Sequence, residues 1–487
     1  MDSKQLFANI PILTIDGQLP ADIPHITMDS RAIQQGSLFV CIKGYTVDGH
    51  DYAEQAVAKG ASVILAETPL KIDGAAVVTV PDTTRALGIL AVRFYDYPSK
   101  KLNMIGVTGT NGKTSVAGML HAMLMELGEK SALTGTIGFN LNGELHPSAN
   151  TTSDVLTTQE MISRANDEGC SHMTMEVSSH GLVLGRLSGV EFDTAIFTNL
   201  THDHLDFHGT MEEYGHAKGL LFSQLGQNLT ENKRAILNAD DEWSEKFAAM
   251  TPFPIYTYGM NENAMFYAKE VRLEKDGTSF MLHCPQGSYP VSMKLLGHFN
   301  VSNALAATAA LVAEGYAIAD VINALEAIPP VEGRMQKAQI DAPVSVFIDY
   351  AHTPDAIEKA LAAVEDFKTG RVIFLVGTGG NRDKTKRPIM AQKASVADYV
   401  VLTTDDPRYE PYDSIVTDLA AGMLHDRYAC IGDREQAVRH AVQQAQPGDI
   451  IILAGKGHED YQIIENTKYP HSDKDIAEDE ARLKFRS

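Results

Sequence analysis

Three groupings in this sequence carry residue types able to do chemistry: a lysine and hydroxyls behind glycines, carboxylates beside histidines, and arginines beside aspartates. The first is Gly106-Val107-Thr108-Gly109-Thr110-Asn111-Gly112-Lys113-Thr114-Ser115, which follows a strand-like apolar run and precedes a helical pattern. That is the context a phosphate-binding loop requires. Glycines let backbone N–H groups turn toward phosphate oxygens, and the helix N-terminus adds positive potential. Lys113 can reach the outer phosphates, and a hydroxyl of Thr114 or Ser115 can hold Mg²⁺. The spacing from Gly106 to Gly112 is one residue longer than a strict Walker A, so the loop is a variant and fits the common GTPases and kinases poorly. A tight turn without a ligand is the plainer alternative, and the Gly-Lys-Thr-Ser cluster at a strand-to-helix junction weighs against it.

The second grouping follows two further strand-like runs. HMTMEVSSHGLVLGR places Ser178, Ser179, His180 and Arg186 behind Glu176, and TAIFTNLTHDHLDFHG places Asp203, His204, Asp206 and His208 behind Asn199. Carboxylate and imidazole at strand ends make a Mg²⁺ site conceivable, since Mg²⁺ takes one or two protein ligands plus phosphate oxygens and water. A rival reading is zinc. His202-Asp203-His204-Leu205-Asp206-Phe207-His208 is similar to the HxHxDH signature of metallo-β-lactamase-type hydrolases, with one extra residue before the last histidine. The insertion breaks that ligand geometry, and zinc hydrolysis leaves the phosphate loop without a purpose. A nucleotide-binding switch without a second substrate is a third class, and loop histidines without any metal are the bland one.

The elements that must position these groups are short β-type runs alternating with helical patterns. SVILAE at 62, AAVVTV at 75, NMIGVTG at 103, TAIFTNL at 194, VSVFIDYAH at 344, RVIFLVGTGG at 371, DYVVLTTDD at 398 and DIIILAGKG at 449 predict βαβ units and mainly parallel sheets. Several end in Gly, Asp, Asn or Thr, as expected where loops at the carboxyl ends of strands hold ligands. The rhythm breaks at YDYPSKKLN and AIPPVEGRM, dividing the chain into 1–100, 101–331 and 332–487. The fold class expected is α/β in three domains. These are a smaller N-terminal α/β domain, a central doubly wound, mostly parallel sheet carrying the phosphate loop, and a Rossmann-like C-terminal domain.

The 487 residues carry 41 basic and 63 acidic side chains, a formal charge of −22. No general positive field exists to attract nucleic acid, so anionic ligands need local basic pockets. Cys41, Cys170, Cys284 and Cys430 lack CxxC spacing, which argues against a disulfide framework and a structural zinc site. The N-terminal MDSKQLFANI lacks the basic start and apolar stretch of a signal peptide, and no apolar run is long enough to span a bilayer. A cytoplasmic protein without membrane insertion is expected.

The order of GVTGTNGKTS, MEVSSH, NLTHDHLDFH, NADD, LLGHFNVSNALAA, EGRM and DYAHTPD resembles the Mur ligases of peptidoglycan synthesis, which use ATP to join an amino acid to a UDP-N-acetylmuramoyl substrate. DSRAIQQGSLFVCIKGYTVDGHDY near the start, with GGNRDKTKRPIM, DDPR and GKGHEDYQ near the end, is similar to the members that add the third residue of the stem peptide. The resemblance covers nearly the whole chain. It implies ATP as co-substrate, Mg²⁺ as cofactor, a UDP-N-acetylmuramoyl dipeptide and a diamino acid as partners, and a monomer. Folylpolyglutamate synthetase shares the ATP machinery, but the DSR-containing N-terminal segment argues against it.

Carried over position by position, the resemblance implies that Gly109, Thr110, Asn111, Gly112, Lys113, Thr114 and Ser115 hold ATP. Asn300, Asn303, Arg334 and Asp349 match adenosine-side contacts, although a helix cap for Asn300 and a surface cation for Arg334 are reasonable readings of those residues alone. Thr114, Glu176 and His204 match metal ligands. Lys218, which alone reads as an ordinary exposed lysine, falls at the family's carbamylated lysine (N6-carboxylysine), an anion able to join them. Lys113, Lys218, Glu176 and His204 thus form the catalytic set. Asn150, Thr151, Thr152, Ser178 and Arg186 match the muramoyl dipeptide pocket, while Ser153 and Leu184 depart from many relatives. Ser30 and the segment Tyr45-Thr46-Val47 fall where the uridine nucleotide binds.

Selection of the amino acid is expected from Arg382, Asp405, Asp406, Pro407, Arg408, Gly455 and Glu459. Meso-diaminopimelate carries a second carboxylate that L-lysine lacks, so it calls for an additional cation. Within the family DNPR marks diaminopimelate enzymes, whereas lysine enzymes tend toward a small residue for that arginine and GKGRE for GKGHE. Arg408 and His458 therefore favour diaminopimelate, with L-lysine as the alternative. Asp406 departs from the DNPR pattern, and a carboxylate there repels the substrate's own carboxylate unless an arginine neutralises the two.

Overall fold

The computed structural model describes residues 1–44, 47–148 and 150–485. Tyr45 and Thr46 of the expected uridine segment lie outside the described residues. All eight β-type runs singled out in the sequence contain strands, and the described chain forms two compact units.

The first unit comprises Met1–Gly106, Glu129–Thr194 and Ser223–Gly226. Its five-stranded sheet runs in the order Thr14–Asp16, Ala76–Thr79, Val63–Ala66, Leu38–Val40, Ile26–Thr27, parallel except for the antiparallel Thr14–Asp16 edge. Every residue of Val63–Ala66 and Ala76–Thr79 is buried. Covering both faces of a parallel sheet explains why these strands are continuous apolar runs rather than alternating ones. Leu87, Leu90 and Ala91 of the helix Thr83–Phe94 cover one face, and Ala53 and Ala56 belong to the cluster on the other. In the same unit His172–Glu176 pairs in parallel with Ser131–Thr134, which continues into the antiparallel strands Phe139–Leu141 and Glu144–His146.

The second unit comprises Val107–Gly128, Ala195–Phe222 and Gln227 onward. Arg234–Asn238, Ile255–Gly259 and Phe266–Glu274 pair in parallel, and the antiparallel strands Gly277–Cys284 and Gly287–Met293 follow. The βα rhythm did not anticipate this meander. Its period-2 signal was nevertheless present, since Thr278, Phe280 and Leu282 alternate buried with half-buried neighbours. The helix His298–Glu314 buries Asn300, Val301 and every residue from Asn303 to Leu311, which fits its alanine-rich composition.

The remaining sheet has the order Gln336–Lys337, Ser345–Asp349, Ile450–Ala454, Val372–Thr378, Tyr399–Thr404, Tyr428–Cys430, with only the first strand antiparallel. Its register pairs Asp349 with Ala454 and Thr378 with Thr404. Four strands therefore end together, and the loops starting at Tyr350, Gly379, Asp405 and Gly455 leave one edge, where α/β sheets hold ligands. No helix among the described residues is long and apolar enough to cross a membrane.

Candidate active site

The strand Asn103–Thr108 runs into the glycine loop, and the helix Lys113–Glu126 begins at the lysine. Gly112 has φ +89° and a Cβ there would sit 2.7 Å from Asn303 Oδ1, so both conformation and space demand glycine. The Asn111 amide donates to Asn199 Oδ1 at 3.0 Å, and Thr198 Oγ1 donates to the Asn111 carbonyl at 2.6 Å. The Lys113 ammonium folds back onto the carbonyls of Gly109 (2.8 Å) and Thr110 (2.9 Å). Thr110 Oγ1 lies 3.2 Å from the Tyr214 hydroxyl.

Lys218, expected from its own sequence context to be exposed, is buried at 1% exposure. The helix Met211–Ser223 turns it inward, where its ammonium donates to the Gly109 carbonyl at 2.7 Å and lies 4.4 Å from the Tyr214 ring centre. Burial, reinforced by the Lys113 charge, pushes its pKa well below the lysine range. His204, at φ +55°, places Nε2 3.5 Å from Asp203. Asp203 also meets Lys386 at 3.2 Å and His352 at 4.0 Å. Burial raises the pKa of Asp203, but Lys386, His204 and His352 outweigh it and hold the carboxyl well below the carboxylate range. The other residues of the zinc-like motif go separate ways: His202 lies 3.6 Å from Asp383, and the His208 ring stacks on Tyr214. Among the described residues, this motif forms no group of three metal-capable ligands.

A cavity of about 390 Å³ opens within the second unit beside the glycine loop. Asn111, Gly112, Ser115 and Asn303 line one side, and Arg334, Asp349, Tyr350 and His352 line another. Arg334 donates to Thr114 Oγ1 at 2.9 Å and stacks its guanidinium 4.5 Å from the Tyr350 ring centre. The Asp349 carboxylate accepts from the amides of Met335 (2.7 Å) and Ala351 (2.9 Å). Burial nevertheless raises its pKa against those bonds and the Arg334 charge. Asn300 stands behind the wall, giving its amide to the Leu296 carbonyl and accepting from Asn303. Sequence reasoning missed Tyr350, although it lies inside the quoted DYAHTPD motif.

In the first unit Glu176 is buried, with Oε1 accepting from the Thr136 amide at 2.8 Å and Oε2 from the Thr136 hydroxyl at 3.2 Å. A Cβ on Gly135 would fall 2.1 Å from Oε1, so glycine is what lets the carboxylate in. Thr136, overlooked in the sequence, also meets Thr151 Oγ1 at 3.1 Å. Thr152 donates to the Glu176 carbonyl and accepts from the Ser178 amide, while Arg186 donates to the Thr152 carbonyl. Ser178 caps the helix Ser179–Val183. Asn150 is exposed, its carbonyl accepting from Ser148, and the Ser30 carbonyl accepts from Lys59.

At the C-terminal sheet edge, Asp405, Asp406 and Glu459 bring carboxylate oxygens within 4.8 Å of one another. Lys456, which sequence reasoning passed over between Gly455 and Glu459, lies 3.0, 2.5 and 2.9 Å from the three. Burial alone lowers the pKa of Lys456, but these carboxylates outweigh it and raise it. Glu459 moves upward, chiefly through burial. Arg408, at φ +52°, sits 3.8 Å from Asp406. Pro407 packs its carbonyl against Gly380, and Arg382 is exposed on the neighbouring loop.

A glycine-rich phosphate cradle opening onto a cavity shared with a second parallel sheet defines a nucleotide-binding α/β protein. Residues 107–311 match the Mur ligase middle domain, 333–457 the glutamate ligase domain of Mur ligases, and 22–95 the Mur ligase family catalytic domain. The chain belongs to the Mur ligase family, and its three-domain α/β fold with mostly parallel sheets is the one expected. It is 47% identical over 481 residues to the UDP-N-acetylmuramyl-tripeptide synthetase 2 of Oceanobacillus iheyensis, covering 98% of each chain. It is 45% identical to the UDP-N-acetylmuramoyl-L-alanyl-D-glutamate--L-lysine ligase of Staphylococcus haemolyticus, covering 100% of this chain and 99% of the relative. Among solved structures, a UDP-N-acetylmuramoyl-L-alanyl-D-glutamate--2,6-diaminopimelate ligase matches at 32% identity and TM-score 0.70, covering 99% of each chain.

Proposed function

We propose that this chain is an ATP-dependent ligase that adds L-lysine to UDP-N-acetylmuramoyl-L-alanyl-D-glutamate, working as a monomer in the cytoplasm. The observation that carries the ligase reading is the cavity bounded on one side by the phosphate loop and on another by Arg334, Asp349 and Tyr350. Triphosphate and adenosine recognition are thus provided within one unit. The proposed domains are 1–100 for the uridine substrate, 101–331 for ATP and 332–487 for the amino acid, each enclosing one family match.

A carboxylate is a poor acylating agent. In the proposed reaction the D-glutamate side-chain carboxylate attacks the γ-phosphorus of ATP, an O–P bond forms, and the bond to ADP breaks. The amine then attacks the carbonyl of this acyl phosphate, loses a proton, and expels phosphate. The Lys113 ammonium would leave the Gly109 and Thr110 carbonyls for phosphate oxygens, which the loop amides would also bind, giving the positioning and charge stabilisation that phosphoryl transfer needs. Arg334, stacked on Tyr350 and bonded to Thr114, would orient the adenosine side.

The family resemblance assigns Mg²⁺, which neutralises charge building on the transferring phosphoryl group, to Thr114, His204 and Lys218 of the second unit and to Glu176 of the first. Glu176 and Thr114 supply oxygen donors of the kind Mg²⁺ prefers. An ammonium does not fit this set. Addition of CO₂ to the neutral Lys218 amine, with release of one proton, gives a carbamate that does.

The choice of L-lysine rests on the acidic cluster and on the lysine-adding relatives. Around Asp405, Asp406 and Glu459 three carboxylates face the cations Lys456 and Arg408, leaving an anionic excess. Such a site attracts a distal ammonium and repels the additional carboxylate of diaminopimelate. Arg408 and His458 are the features that favour diaminopimelate, and the Arg408 guanidinium is turned toward Asp406. The test is ADP release with the UDP-linked dipeptide and each diamino acid in turn. Release that needs both reactants and prefers L-lysine is expected. Release without an amino acid would overturn the ligase reading, and a preference for diaminopimelate would overturn the lysine assignment.

A further inference from the structure

Glu410 lies outside the acidic cluster, yet the loops expected to read the amino acid meet at its carboxylate. Arg387, fully buried in the helix Lys386–Ala394, grips it with two parallel bonds, Nη1 to Oε1 and Nη2 to Oε2, each 2.8 Å. Oε2 also accepts from the Asn381 amide at 2.9 Å, and Oε1 from Ser414 at 3.2 Å, with Lys384 at 2.8 Å. Arg387 reaches on to the Gly379 carbonyl at 3.2 Å and to Asp418 at 2.9 Å. Two loops are joined this way: 379–384, which carries Arg382, and 405–410, which carries Asp406 and Arg408.

The joint is tight. The Gly380 amide donates to the Asp406 carbonyl at 2.8 Å, and the Tyr409 amide donates to Asn381 Oδ1 at 3.2 Å. Asn381 and Arg408 both adopt left-handed backbone at φ +54° and +52°. Asparagine tolerates that conformation, whereas arginine avoids it unless its surroundings impose it. The Glu410 bond to the Asn381 amide holds the first of the two in place.

We propose that Glu410 is a positioning residue for amino-acid selection: with Arg387 it clamps the Arg382 loop against the loop bearing Asp406 and Arg408. The proposal rests on the ligase reading above. Glu410 touches no reactant. It acts by fixing the separation of charged side chains that do, and displacements of about an ångström in such groups cost up to about 100-fold in turnover.

The test is steady-state kinetics of Glu410→Gln, which keeps the shape and removes the charge, alongside Glu410→Asp, which keeps the charge, and Arg387→Lys, which loses the paired bonds. For Glu410→Gln the KM for the amino acid should rise about tenfold or more, with the KM values for ATP and the UDP-linked dipeptide within about twofold. Its discrimination between L-lysine and diaminopimelate should narrow, and Glu410→Asp should restore part of both. If Glu410→Gln fails to fold, Glu410→Asp and Arg387→Lys are expected to show the same selective split in milder form. A uniform rise in all three KM values, or unchanged discrimination, overturns the proposal. A wild-type enzyme whose ADP release ignores every diamino acid overturns the ligase reading instead.

Discussion

The ammonium groups of Lys113 and Lys218 converge on one oxygen: the Gly109 carbonyl accepts from both, at 2.8 and 2.7 Å. Keeping both groups charged on a single neutral acceptor is unfavourable, and burial together with the Lys113 charge pushes the Lys218 pKa down. The arrangement is relieved if phosphate draws Lys113 away and Lys218 becomes an anion.

Lys218→Met should therefore separate stability from activity. Replacing a buried amine whose charged form burial disfavours should leave the melting temperature unchanged or higher. Ligation should fall by about 100-fold or more, as when one preorganised charge is removed from a phosphoryl-transfer site. A ¹³C NMR spectrum in ¹³C-bicarbonate should show a carbamate carbon that the variant lacks. A large drop in melting temperature with ligation intact would contradict the assignment.

Asp406→Asn tests the anionic excess at the C-terminal cluster. The variant leaves two carboxylates against Lys456 and Arg408, removing the repulsion of a second substrate carboxylate. The ratio of kcat/KM for L-lysine to that for diaminopimelate should fall by about tenfold or more, because deleting one charge contact changes discrimination by roughly that factor. Parallel progress curves with the two amino acids measure it.

Arg434 and Asp473 form a fully buried ion pair at 2.6 Å, with His471 at 2.7 Å from the same carboxylate. Burial works against the Asp473 charge, but Arg434 and His471 outweigh it and hold its pKa far below the ordinary carboxylate range. A depressed folded pKa adds stability above the unfolded value of about 4, and that contribution is lost as pH falls through the folded value. Urea midpoints should thus decline on acidification below about pH 4. Asp473→Asn should flatten this acid limb and cost about 3 kcal/mol at neutral pH, since Arg434 is left buried without its counter-charge.

Thiol chemistry checks the N-terminal core. Cys41, just past the strand Leu38–Val40, is fully buried, and burial, with the nearby Asp48 charge, pushes its pKa up to about 12. Cys430 is exposed at a strand end. At pH 8 a thiol reagent should label Cys430 readily, and Cys41 only at the rate of unfolding. Mass mapping of the modified peptides reads the outcome.

Much of the fold was legible because it is written locally. Runs such as VILA and IIILA are apolar at every position, which marks strands covered on both faces, and the glycine, lysine and hydroxyl spacing of the phosphate loop is a contiguous instruction. The meander from Phe266 to Met293 was missed because the βα rhythm was followed past a period-2 pattern.

By itself the sequence determined the strand-end chemistry: a lysine and hydroxyls behind Gly112, a carboxylate at Glu176, paired aspartates at 405 and 406. Tertiary structure alone decided which groups meet. It buried Lys218 beside Lys113, set Lys456 among three carboxylates, turned Arg408 toward Asp406, and brought Arg387 to Glu410. The reason is that burial and pair distances depend on the register of strands far apart in sequence, such as Asp349 with Ala454 and Thr378 with Thr404. No local pattern encodes that alignment.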